Sequence, residues 1–149
     1  MAKMSKRSKS HSEKVSRGEP KNIDEALEFY GGFLDFTLRS RSDTAAIIDL
    51  GDQFMNFSLG RKQQADDARH FGLVVDDKEA VRVALERMGV ELVSERFLDF
   101  LDPWGNRVEI VAYENIQFTK SPDILRGMKL DGLDKNENAR RELAEKGMA

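Results

Sequence analysis

His70 and Glu109 are the two side chains of this 149-residue chain whose types and settings point most directly to chemistry. An imidazole nitrogen and a carboxylate oxygen are donors that divalent first-row cations accept. A carboxylate can also take a proton from a reacting carbon. His70 opens the run His70-Phe71-Gly72-Leu73-Val74-Val75, and Glu109 lies within Arg107-Val108-Glu109-Ile110-Val111-Ala112-Tyr113. Both runs read as strands. Parity then decides where the two side chains point. Phe71, Leu73 and Val75 form a wholly apolar face suited to lie under a helix, which leaves His70, Gly72 and Val74 on the other face. Val108, Ile110 and Ala112 are the helix-side set of the second run, so Glu109 shares the open face with Arg107, Val111 and Tyr113. The expectation is a cleft in which His70 and Glu109 stand a few ångströms apart.

The elements that must position this pair are legible on either side of it. Asp102-Pro103-Trp104-Gly105-Asn106 has Pro at the second and Gly at the fourth place of a tight turn, which feeds the Glu109 strand. Asp76-Asp77 can cap a helix over 78–88 whose Val81, Leu85 and Met88 share one face, and Gly89 can stop it in a left-handed conformation. Residues 90–94 and 96–101 read as strands. In the first half, Asn22 is a good N-cap with Glu25 three residues on. Ile23, Leu27, Tyr30 and Leu34 then recur at helical spacing until Gly31-Gly32 weakens the helix. Residues 36–41, 45–50 and 53–59 read as three strands, and 60–69 as a polar connector. The paired carboxylates Asp66-Asp67 and Asp76-Asp77 read as turn or capping residues.

The two halves can be laid over each other, helix on helix and hairpin on hairpin. With a His at the head of one strand and a Glu in the last, this β-α-β-β-β layout resembles the vicinal-oxygen-chelate superfamily. That superfamily includes glyoxalase I, bleomycin-resistance proteins, extradiol dioxygenases and methylmalonyl-CoA epimerase. The resemblance implies an α+β fold of paired β-α-β-β-β modules across residues 23–113, a divalent metal (Fe, Mn, Ni or Zn) held by His70 and Glu109, and Glu109 as a catalytic carboxylate. It is incomplete in one half. The first strand of the first module is degenerate: Ser12-Glu13-Lys14-Val15-Ser16-Arg17 has no apolar face to bury. Asn56 falls at or beside the position of a family carboxylate, and a neutral amide is a weaker ligand that cannot act as a base. His11, the only other histidine, lies at the wrong distance from the first helix. Two donors are fewer than the three protein ligands usual at a catalytic centre.

The family reactions fit unequally. Dioxygenase chemistry is disfavoured because Asp99 stands where a Tyr should be and residues 90–92 where an acid-base His should be. Isomerase or lyase chemistry keeps Glu109 and lacks its opposite carboxylate. Sequestration of the bleomycin-resistance type needs no metal and would use Phe54, Phe97, Trp104 and Tyr113, while the substrate cleft is expected to be lined by Asn56, Phe54, Arg107 and Tyr113. The leading expectation is a metal-dependent lyase, isomerase or dioxygenase-type enzyme acting on a small molecule. The alternatives are a metal-free small-molecule binding protein and a catalytically inactive dimer subunit.

Composition narrows the setting. A charged fraction of 34% and a hydrophobic fraction of 40% suit a soluble single domain. Zero cysteines exclude disulfides, thiolate metal sites and Cys nucleophiles. No apolar run reaches the roughly 18 residues of a membrane span, and no signal-peptide core is present, so the expected location is cytoplasmic. Residues 1–22 carry seven Lys or Arg against Glu13 and Glu19, which makes the remainder more acidic than the net charge of −3. An acidic body is a poor nucleic-acid platform, which leaves only the basic stretch 1–22 for that role, and this stretch is expected to be a disordered tail. Residues 114–149 form a third part. Pro122 can start one helix through 128, and Leu130, Leu133, Ala139 and Leu143 allow a second. This segment is similar to the extension of a bacterial and archaeal branch of the superfamily whose reactions are unassigned. The open sheet edge left by a missing strand implies a homodimer.

Overall fold

A computed structural model describes residues 21–62, 68–94 and 96–149. The tail reading, His11, the degenerate strand 12–17 and Asp66-Asp67 lie outside these residues. Chain order is α1 (Ile23–Gly31), β1 (Thr37–Arg41), β2 (Ala45–Leu50), β3 (Gln53–Ser58), β4 (His70–Val75), α2 (Lys78–Arg87), β5 (Leu98–Leu101), β6 (Arg107–Ala112), α3 (Pro122–Gly127) and α4 (Glu137–Glu145). The fold is α+β, with two three-stranded sheets ordered β1-β2-β3 and β4-β6-β5. None of the described helices is long and apolar enough to cross a membrane.

Local signals set the element boundaries. The Asn22 side chain accepts from the Glu25 amide, while the Glu25 carboxylate accepts from the Lys21 amide, so two free donors at the head of α1 are satisfied. The helix ends against the second half. A Cβ on Gly32 would stand 2.6 Å from Met88 Sδ, so the ends of α1 and α2 meet closely here and a larger residue would displace the Met88 thioether. Asp77 caps α2 through the Ala80 amide, and Gly89, at φ 70°, closes it in the left-handed conformation the sequence predicts.

In the first sheet, β1 and β3 flank β2 in antiparallel register, with an irregularity between Leu38 and Ser40. Ala46, Ile48 and Leu50 of β2 are buried, and Ala45, Ile47 and Asp49 alternate with them on the open face. In the second sheet, β4 runs parallel to β6 and β5 runs antiparallel to it. The connection β4-α2-β5-β6 places a parallel strand beside the last strand of its half. The first half repeats α-β-β-β, and β3 occupies the place that β6 holds in the second. Among the described residues no strand lies beside β3 on its outer side.

One core joins the halves. Tyr30, Phe33 and Leu34 meet Ile48 and Leu50 from the first sheet, Val81 and Leu85 from α2, and Leu98, Phe100, Val108 and Ile110 from the second sheet. Phe33 stands edge-on to Phe100 at 5.5 Å, and Phe29 edge-on to Trp104 at 5.9 Å, so the helix of the first half packs on the sheet of the second. Each fully buried side chain of this size contributes roughly 1.5–3 kcal/mol.

Three expectations change. Residues 90–94 form only a bridge, Leu92 to Phe100. The Ser94 hydroxyl bonds the Asp99 carboxylate and accepts from the Phe97 amide, which draws the chain into a loop and delays β5 to Leu98. The last strand stops at Ala112, and Tyr113 begins a single 3-10 turn. The second helix of the extension covers only Glu137–Glu145, because Asn136 caps it through the Ala139 amide.

Candidate functional site

His70 and Glu109 come together on the open face of the second sheet. Parallel register pairs His70 with Arg107 and Gly72 with Glu109, which sets the two side chains on a diagonal between neighbouring strands. His70 Nε2 stands 3.4 Å from Glu109 Oε2, with side-chain exposures of 46% and 30%. Both remain open to solvent, and therefore to a ligand. Gly72 leaves the space between them unfilled, since a Cβ there would meet nothing closer than 3.8 Å.

The spacing has a chemical meaning. Two donors bonded at about 2.1 Å to one tetrahedral cation stand about 3.4 Å apart. His70 and Glu109 therefore fit two corners of such a site. The third corner is not supplied by a neighbour: among the described residues no group of three or more His, Cys, Asp or Glu could hold a metal ion.

Asp99 is the nearest acidic residue in register, directly opposite Glu109 across β5 and β6. Its carboxylate is committed elsewhere. Arg107 Nε and a terminal guanidinium nitrogen bond Asp99 Oδ2 at 3.0 and 2.5 Å, and Ser94 Oγ donates to Oδ1 at 3.1 Å. Burial pushes the Asp99 carboxyl up, but Arg107 and Ser94 outweigh it and hold it below the usual carboxylate range. Arg107 is thus a clamp on a buried carboxylate rather than a cleft residue awaiting substrate.

The other expected cleft residues disperse. Asn56 is exposed on β3 and lines a cleft of about 200 Å³ with Ile23, Ala26, Phe57, Ser58, Arg61 and Asn106. Neither His70 nor Glu109 lines it. Phe54 is 61% exposed on the open face of the first sheet, with the Arg39 guanidinium 5.5 Å from its ring centre and Asp49 paired to Arg39. Phe97 is also exposed, whereas Trp104 is buried in the core. Tyr113 does not face a cleft. It is buried, its hydroxyl accepts from the Lys120 amide at 2.9 Å, and its ring lies under Lys135 Nζ at 3.4 Å. The strand ends one residue too soon for parity to carry Tyr113 to the open face.

Two residues whose roles the sequence did not disclose organise the surroundings. Asp102 is buried and accepts from the Trp104 and Asn106 amides, the Asn106 side chain and the Tyr30 hydroxyl. It rigidifies the turn that starts β6 and ties that turn to α1. Burial, and then the Asp102 carboxylate, push the Tyr30 hydroxyl well above its ordinary value. The Asp-Pro-x-Gly spacing marks the turn; nothing local announces Tyr30. Lys135 is buried at 8% exposure and donates to the Tyr113 carbonyl at 2.7 Å. Burial and then the nearby Lys120 lower its pKa to about 8.

No family model matches the sequence, and no curated protein matches it. Twelve chains of solved structures do. One is the structure of a possible glyoxalase from Bacillus cereus, similar over 65% of this chain and 92% of that one, at 21% identity and a TM-score of 0.45. The fold given above rests on this chain's own strand order and register.

Proposed function

We propose that the protein is glyoxalase- or dioxygenase-like and acts on a small molecule at the His70–Glu109 pair, as a metal-dependent enzyme of lyase or isomerase type. The observation that carries this reading is the 3.4 Å approach of an imidazole nitrogen and a carboxylate oxygen on a solvent-open sheet face. His70 and Glu109 are the residues that would hold a divalent ion, and such an ion would polarise a substrate carbonyl. Glu109 is the group suited to take a proton from the carbon beside that carbonyl. Asp99 and Arg107 fix the strand behind the pair without entering the chemistry. Dioxygenase chemistry is less well supported, because the Tyr and second His of that signature have no counterparts here.

A second reading, metal-free binding of a small molecule, has its own support. The described residues bring two donors together and not three, and Phe54 presents an exposed ring backed by Arg39. Thermal unfolding with added Mn, Fe, Ni or Zn separates the two. On the metal reading, ion at about 100-fold excess over its Kd stabilises by about 2.7 kcal/mol, and His70→Ala and Glu109→Gln each abolish the effect. A wild-type melting temperature indifferent to millimolar amounts of all four ions would leave the binding protein as the better account.

A further inference from the structure

Gly72 is a glycine that the fold itself does not require. Its φ lies outside the left-handed region, so its backbone suits any residue. It pairs with Glu109 inside β4, and the register with β6 runs on unbroken to either side, so no bulge calls for it. Among the described residues, a Cβ there would meet only Val111 Cγ2 at 3.8 Å and the Glu109 carbonyl oxygen at 4.0 Å, both ordinary contacts. Gly32 is the contrast, since a Cβ there would stand 2.6 Å from the Met88 sulfur. A glycine inside a strand weakens it. Where neither a bulge nor packing asks for one, it marks the close approach of another group.

The surroundings of Gly72 say what kind of group approaches. Gly72 is exposed, and the next side chains on its face of β4 are those of His70 and Val74. At the rise of a strand this leaves a bare stretch of backbone roughly 13 Å long between them. Glu109 borders it at the His70 end, 3.4 Å from the imidazole. Half-buried Val74 and Val111, opposite each other in register, border the other end. One end is polar and the other apolar. We propose that Gly72 is the specificity-determining residue of the His70–Glu109 site, and that the site takes carbonyl compounds bearing a flat apolar substituent. The substituent lies on the β4 backbone over Gly72, with Val74 and Val111 against it, while the carbonyl end reaches His70 and Glu109. A planar group touches bare backbone over its whole face, and a side chain at position 72 would lift it away. The inference rests on the pair being the reacting end, as proposed above.

Acetohydroxamate and benzohydroxamate are suitable probes. Each offers a carbonyl beside N–H and O–H donors, which suits an imidazole and a carboxylate with or without an ion between them. The two differ only in the group that would lie over Gly72. Calorimetric titration of the full chain, with and without Mn, is expected to show benzohydroxamate bound about tenfold more tightly or better, as burial of a ring face implies. Gly72→Ala should narrow that ratio and Gly72→Val should abolish it, with acetohydroxamate still bound. Melting temperatures of both variants should equal or exceed that of the wild type, because an exposed strand position disfavours glycine. A wild type that binds the two probes equally, or neither, overturns the inference, and so does a ratio unchanged in both variants. A lower melting temperature in both variants also overturns it, by giving the glycine a structural role. The ion arm reports separately on the metal reading. A ratio that depends on residue 72 in a protein that Mn does not stabilise sinks the metal reading and keeps this inference.

Discussion

Asp102 shows how much a single carboxylate can hold together when it is buried. Four donors reach it, from Trp104, Asn106 twice and Tyr30, at 2.7–3.0 Å. Removing it strands several buried donors at once, so Asp102→Ala should destabilise by about 3 kcal/mol. Tyr30→Phe removes one bond and leaves the turn intact, and should cost about 1 kcal/mol. Urea denaturation of the two variants and their combination measures both values, and a combined loss below their sum reports the coupling between helix and turn. The sequence made the turn legible because Pro103 and Gly105 are local signals. It left Tyr30 unconnected, since the partners are separated by 72 residues. His70 and Glu109 were placed correctly on one face by period-two alternation alone. Tyr113 was misplaced because alternation is valid only while the strand lasts, and this one ends at Ala112.

Among the elements, the C-terminal extension carries the clearest dependence on pH. The Lys135 ammonium is buried against Tyr113 and near Lys120, which lowers its pKa from 10.5 to about 8. Between those values the unfolded chain binds more protons than the folded one, so stability rises with pH from about 8 upward. The gain closes near pH 10, where the buried Tyr30 keeps a proton that the unfolded chain releases. Over that window the gain should be about 2 kcal/mol. Lys135→Met removes the titrating group, and its denaturation midpoint should stay flat from pH 8 to pH 10. An identical rise in the variant would assign the effect to another group. The extension was only half legible from its apolar spacing. Leu130 and Leu133 share a period with Ala139 and Leu143, yet Lys129 takes a positive φ of 58° and Asn136 caps afresh, so the helix is confined to its second part. The helices of the two halves were more readable, because Asn22, Asp77 and Gly89 end them by side-chain and backbone preferences that need no partner.

At the scale of the whole molecule the two repeated halves share one core, from which a single unfolding transition is expected. The segment after α1 buries Phe33 against Phe100 of the second half, and Phe29 of α1 lies against Trp104 across the same boundary. Trp104 is the only tryptophan, so its fluorescence reports on that junction. Urea unfolding followed by Trp104 emission and by far-ultraviolet circular dichroism should give coincident transitions. An earlier fluorescence transition would mean that the halves part before either melts. The repeat itself was visible in the order of helices and hairpins. The shared core was not, because it depends on which face of α1 meets which sheet, and helical periodicity gives a face without naming its partner.

The contact of Lys120 with Asp52 has a mechanical side. Lys120 Nζ reaches both carboxylate oxygens of Asp52 at 2.5 and 2.7 Å, with its side chain 4% exposed, and so clips the extension to the turn between β2 and β3. Pulled from its C-terminus, the chain would pass tension first through α4 and its bonds to residues 113–117. The load would then divide, one branch running down β6 and the other entering the first sheet at Asp52. The strand that bears His70, held to β6 side by side along its whole length, lies on the first branch and is loaded in shear. The hairpin β2-β3, gripped at its tip, is loaded on the second. Asp52→Asn weakens the clip and should lower the force at which a single molecule first yields, while leaving the later rupture of β4 from β6 unchanged.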